Sequence, residues 1–112
     1  MYDYTENVRR GIAFLDKYAP EGWRDRIDWS KVSIISAHDC VAGQAFGSVM
    51  GDEGYMMSGW LQASDILWGL HTDDTTQAYE TSDYGFNYAW EDDDASQDNL
   101  VNTWKRELGV KV

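Results

Sequence analysis

The sequence predicts a mainly α protein: a compact bundle of about four helices with at most a small β element, folded as one globular domain over residues 1–112. Three observations carry this. Val8, Ile12, Leu15 and Ala19 recur at helical spacing near the N-terminus. The most apolar stretch, Tyr55 to Leu70, repeats with the same period. The C-terminal segment joins an apolar face to an acidic start and a glycine stop. Six Trp, seven Tyr and three Phe supply ring area for a core, which argues against a disordered acidic chain.

The first helix is expected over about Thr5–Tyr18, with Thr5 as its cap and Arg9, Arg10, Asp16 and Lys17 mostly outside. Pro20-Glu21-Gly22 breaks it. Trp23 to Trp29 reads as a helical turn or as an irregular segment pinned by its two tryptophans. Val32–Ser36, short and β-branched, is the best strand candidate and suits a buried connection equally well. Asp39 is the expected cap of a second helix carrying Val41, Gln44, Ala45 and Val49. Gly43 and Gly47 weaken that helix, so packing must hold it or another element must approach closely.

Gly51-Asp52-Glu53-Gly54 is a turn. Met57, Trp60, Leu61, Ser64, Leu67 and Trp68 then mark what reads as the central core helix. His71 to Trp90 is polar and turn-rich. Its aromatics Tyr79, Tyr84, Phe86, Tyr88 and Trp90 either pin it to the core or form a short hairpin. Asp94, with Gln97 three residues on, offers a capping box for the last helix. That helix has Leu100, Val101, Trp104 and Leu108 on its apolar face, Lys105 and Arg106 in its final turn, and Gly109 at its end.

Charge is distributed in blocks. Val32 to Trp104 holds thirteen Asp and Glu and no Lys or Arg, whereas the preceding segment is balanced, so the net charge of −11 arises in the middle. A single-sign field of this kind acts at range and selects partners. It opposes direct binding to nucleic acid and to anionic membrane, both of which call for Lys and Arg. No run reaches the length of a membrane span, and the N-terminus lacks the basic and apolar regions of a signal peptide. The lone Cys40 excludes an internal disulfide. A cytoplasmic protein is the expectation.

No reaction motif stands out, and no cofactor signature is present. Asp92, Asp94, Ser96 and Asp98 alternate as in a calcium loop, but Gln97 stands where glycine is required and Thr103 where the bidentate glutamate belongs. No metal is therefore expected. The Glu91-Asp92-Asp93-Asp94 run reads instead as an exposed helix start stabilised by the helix dipole, or as a row of phosphate-like carboxylates. His38-Asp39-Cys40 carries the ingredients of an activated thiol, with His71 a better-placed base than the adjacent His38. A free Cys is nevertheless among the most often buried residues. Met50, Met56 and Met57 beside Trp60 suit a core better than an adaptable surface. Gly43-Gln44-Ala45-Phe46-Gly47 lacks the basic residue of a phosphate cradle.

Val8-Arg9-Arg10-Gly11 with Leu15-Asp16, then Trp23 and Ile27-Asp28, form one group of features. Asp39-Cys40-Val41, Gly43-Gln44 and Gly47, Tyr84-Gly85-Phe86 and Trp104 form another. In this order they resemble small acidic proteins encoded by bacteriophages of actinobacteria. The resemblance covers most of the chain and implies a phage origin without implying an activity. Many small acidic phage proteins act by binding and blocking a host protein.

The expected function is accordingly a non-enzymatic, phage-encoded binding protein that blocks a basic, nucleic-acid-binding host surface in the manner of a DNA mimic, in defence or replication. Asp73, Asp74, Asp83, Glu91, Asp92, Asp93 and Asp94 would carry the electrostatics. Tyr84, Tyr88 and Trp90 would supply apolar anchors. One alternative is a cysteine-dependent hydrolase or transferase using Cys40 with His38 or His71. Another is a virion assembly protein forming homo-oligomers through exposed aromatics.

Overall fold

Helix α1 spans Thr5–Tyr18 in the computed structural model of the chain, which describes residues 2–50, 54, 56–76, 78–92 and 95–110. Its bounds are the expected ones, but the cap is not Thr5. Thr5 is already helical, and its N–H donates to Asp3 Oδ1 at 2.9 Å. Val8, Gly11, Phe14 and Leu15 face inward. The chain leaves the helix at an extended Ala19, as the residue before Pro20 favours, and turns at Gly22. Helix α2, Trp23–Arg26, is a single turn fastened to α1 by Asp16. That carboxylate accepts from Trp23 Nε1 at 3.0 Å and from Arg24 at 2.9 Å.

Val32–Ser36 is the buried connection rather than a strand. Val32 and Ile34 point into the core while Ile35 is 86% exposed. Among the described residues no strand pairs with it. Gln97 serves its backbone instead: the Ile34 N–H donates to Gln97 Oε1 and Gln97 Nε2 donates to the Val32 carbonyl, each at 3.0 Å.

Helix α3, Val41–Phe46, starts one residue later than expected. Its cap is Cys40, whose sulfur accepts the Gly43 N–H at 3.3 Å. Strands β1 (Val49–Met50) and β2 (Met56–Met57) pair antiparallel, Val49 with Met57 and Met50 with Met56. The turn expected at Gly51-Asp52-Glu53-Gly54 falls between them in sequence, and Gly51, Asp52, Glu53 and Tyr55 lie outside the described residues. Met50 and Met56 are exposed and Met57 is half-buried, so these methionines do not form core.

Helix α4 runs Gly59–Asp73, after the Ser58 hydroxyl accepts the Leu61 N–H. It begins four residues after Tyr55, because Met56 and Met57 are taken by the β pair. It is also not the central core helix. Its buried residues are Gly59, Ala63 and Leu67, spaced by four, whereas Trp60, Leu61 and Ser64 are half-buried and Trp68 is 56% exposed. The small row wins because α3 lies directly against it. A Cβ on Gly59 would sit 2.6 Å from the Ala42 carbonyl oxygen and 2.7 Å from Gly43 Cα. The close approach anticipated for Gly43 is therefore to α4.

A 3-10 turn, Thr81–Tyr84, follows, and helix α5, Gln97–Leu108, closes the described fold. Ser96 precedes α5. Asp94, the expected cap, lies outside the described residues, and the Gln97 side chain is committed to the Val32–Ile34 connection. Leu100, Val101, Thr103 and Trp104 are buried, and Gly109 ends the helix at φ 76°. The core centres on Trp104, fully buried, stacked on Phe86 at 5.9 Å and donating its indole N–H to the Gly85 carbonyl at 2.8 Å. Phe14 of α1 meets Phe86 edge-on. Gly11 lets α1 approach, since a Cβ there would lie 2.8 Å from the Trp104 ring. The fold is mainly α with one small β element.

Candidate functional site

One face of α4 remains for function once Gly59, Ala63 and Leu67 are buried. Trp60, Ser64 and Trp68 repeat at the same interval one position further round, and Asp65 stands beside them. The segment from Tyr79 to Trp90 returns along this face. Together they enclose an open groove of about 610 Å³. Among the described residues that line it, five are aromatic: Trp60, Trp68, Tyr79, Tyr88 and Trp90. Two are acidic, Asp65 and Glu80, and both are exposed. None is Lys or Arg, because every lining residue falls within the stretch that lacks them.

Two hydrogen bonds cross-brace the groove's lining. Trp60 Nε1–H donates to Asn87 Oδ1 at 2.8 Å, and the Thr81 hydroxyl donates to the same oxygen. This holds the Trp60 ring across the junction between α4 and the returning segment. Toward the C-terminal part of α4, Trp68, His71 and Tyr79 form a cluster. The Tyr79 ring lies 4.1 Å from the His71 ring and edge-on to Trp68 at 5.5 Å. Trp90 is 87% exposed, an extreme value for the largest side chain. Buried surroundings, and then Asp92 and Asp98, push the Tyr88 phenol above its ordinary pKa.

The anchors expected from sequence divide. Tyr88 and Trp90 both line the groove. Tyr84 does not serve as an anchor: it is buried, packs on Phe14 and donates its hydroxyl to the Ala78 carbonyl at 2.9 Å. Tyr79 and Trp68, whose helical spacing had suggested core, line the groove instead. The signal for Trp68 was the parallel row Gly59, Ala63 and Leu67, better suited to a tight helix contact.

The expected acids differ in availability. Asp73 is exposed at the end of α4, and Glu91 is exposed directly after Trp90. Asp74 is exposed but locally engaged, accepting from the Thr76 N–H at 3.0 Å and its hydroxyl at 2.6 Å, which together hold its carboxyl below the usual range. Asp83 is half-buried in the 3-10 turn, where Arg10 donates to its carbonyl. Asp92 is half-buried and bonded to Tyr4, so it belongs to the scaffold. Asp93 and Asp94 lie outside the described residues.

Cys40 is fully buried, and burial raises its thiol pKa above the ordinary value despite backbone N–H groups nearby. That is the reverse of the exposed, thiolate-favouring setting a nucleophile needs. His38 is exposed, with Nδ1 2.9 Å from the Ser48 hydroxyl, while His71 sits in the Trp68–Tyr79 cluster. Among the described residues no three His, Cys, Asp or Glu side chains gather as a metal would require. Nor, among them, is any helix long and apolar enough to cross a membrane.

No protein-family model, curated protein or solved structure matches the chain.

Proposed function

We propose that the chain is a non-enzymatic binding protein whose groove and neighbouring carboxylates engage a basic, nucleic-acid-binding surface of a host protein and block it. The observation that carries this reading is the meeting of exposed Trp68 and Trp90 with Asp65 and Glu80 in a groove with no Lys or Arg among its described lining residues. Exposed Trp and Tyr are the usual energetic anchors of protein interfaces. The uncompensated acids steer a cationic partner toward them and reject anionic ones. Carboxylates such as Asp73 and Glu91 would stand in for phosphates on the partner's surface. A phage origin, implied by the resemblance, makes a defence or replication factor in the host cytoplasm the fitting target.

Affinity capture from host lysate on the immobilised protein tests this, with duplex DNA and salt as competitors. A specific partner should be retained at low salt and displaced both by DNA and by raised ionic strength. Retention indifferent to DNA and to salt would overturn the mimicry.

A second reading has an observation of its own. Ile35 and Trp90, each more than four-fifths exposed, would also serve self-association in an assembly protein. Sedimentation at high protein concentration separates the two, since a strict monomer excludes assembly.

A further inference from the structure

The acids explain attraction to a basic surface, but not why five aromatic rings line the same groove. Rings and carboxylates together select one kind of group. A cation lying over an aromatic face is held by the ring quadrupole, and a guanidinium is held best because it is planar, weakly hydrated and able to stack. Its N–H fork also pairs with carboxylates in two-point fashion, which a lysine ammonium cannot reproduce. Resting on the reading above, we propose that the groove between α4 and the Tyr79–Trp90 segment receives an arginine side chain from the partner. The guanidinium stacks on Trp68 or Trp90 and pairs with Asp65 or Glu80.

Three features of the site support this occupant. Its volume of about 610 Å³ lies in the range that accepts a peptide side chain with flanking backbone. Both carboxylates are exposed at the lining, so neither is committed to an internal cation, and neither appears in an ion pair among the described residues. Of the neutral polar groups at the lining, Asn87 Oδ1 already accepts from Trp60 and Thr81. Beside Ser64, Thr81, Ser82 and Asn87, five ring faces and two carboxylates make up most of the lining, the combination that suits a planar cation.

The test uses the full chain and three short peptides identical except at one position, which is arginine, lysine or citrulline, the neutral isostere of arginine. Binding is followed by calorimetry and by the indole N–H signals of the tryptophans in ¹H–¹⁵N spectra. The arginine peptide should bind most tightly, the citrulline peptide should lose most of the affinity, and the Trp68 and Trp90 signals should move. Trp68→Ala and Trp90→Ala should each weaken binding roughly five-fold or more, and Asp65→Asn with Glu80→Gln should do the same. These side chains are exposed, so the variants should keep the wild-type circular dichroism spectrum.

Equal affinity for arginine and citrulline peptides would overturn the proposal, as would a neutral oligosaccharide moving the same indole signals where arginine does not. If the arginine peptide binds but the Trp variants leave its affinity unchanged, the groove assignment fails while the basic-partner reading stands. If neither charged peptide binds and lysate capture finds no salt-sensitive partner, both fail. Concentration-dependent movement of the Trp68 and Trp90 signals without any peptide would assign the groove to a second copy of this chain, and would also overturn the proposal.

Discussion

The Tyr4 hydroxyl donates to Asp92 Oδ2 at 2.6 Å across 88 positions of sequence and accepts the Ala89 N–H at 3.0 Å. Tyr4 has no exposed surface, so this one oxygen fastens the start of α1 to the residues on either side of Trp90. The presentation of the groove's most exposed ring thus depends on a core residue from the other end of the chain.

Tyr4→Phe should cost about 1–3 kcal/mol, because it leaves the Ala89 N–H buried without its acceptor and takes a donor from Asp92. Amide exchange at Ala89 should accelerate. The same contact predicts a pH dependence. Burial, and then the Asp92 bond, raise the Tyr4 phenol well above its ordinary value of 10.0. A phenol raised in the folded state contributes stability that is complete below about pH 10 and is lost as pH climbs toward the folded value. Urea midpoints measured from pH 8 to 11 should fall more steeply for the wild type than for Tyr4→Phe.

Gly59 and Gly69 lie on the same helix and should respond oppositely to alanine. In an open position the change favours a helix by about 0.5–1 kcal/mol, and a Cβ on Gly69 meets nothing within 4 Å. On Gly59 it meets the α3 backbone, which cannot yield as a side-chain end would. Gly59→Ala should therefore destabilise by about 1–3 kcal/mol. Urea unfolding of the two variants checks the contrast in sign.

Cys40 should behave as a core thiol. It should resist a disulfide-exchange reagent in the native protein and react fully once urea unfolds the chain. Cys40→Ala should cost roughly 1–2 kcal/mol, through the lost bond to the Gly43 N–H and a small void, while leaving partner binding intact. Loss of binding by a folded Cys40→Ala variant would return the cysteine-dependent reading to first place.

Gln97→Ala should release the Val32–Ile34 connection, which depends on its two amide bonds. The expected cost is about 1–3 kcal/mol. The diagnostic readout is faster exchange of the Ile34 amide with Trp104 in mid-α5 still protected.

How much of this was legible in the sequence varies with the range of the interaction. The bounds of α1 follow from apolar spacing and Pro20, and the end of α5 from Gly109, all of which are local signals. The cap of α3 was missed by one residue because Cys40, an unusual acceptor, does what Asp39 does more often. The role of Gln97 was invisible, since a side chain supplying hydrogen bonds to a connection more than sixty residues away leaves no pattern of its own.

What the sequence determined by itself is the helical character of the chain, its aromatic core-forming capacity and the absence of Lys and Arg from Val32 to Trp104. Composition and period are sufficient for those. Only the tertiary structure decided which tryptophans are core and which are surface. Periodicity states which residues share a face of α4, but both the row through Gly59 and the row through Trp60 satisfy it. The choice fell to α3, whose backbone fits only against the small row. That contact buries Gly59, Ala63 and Leu67 and turns Trp68 outward, where the returning segment completes an acidic, aromatic groove.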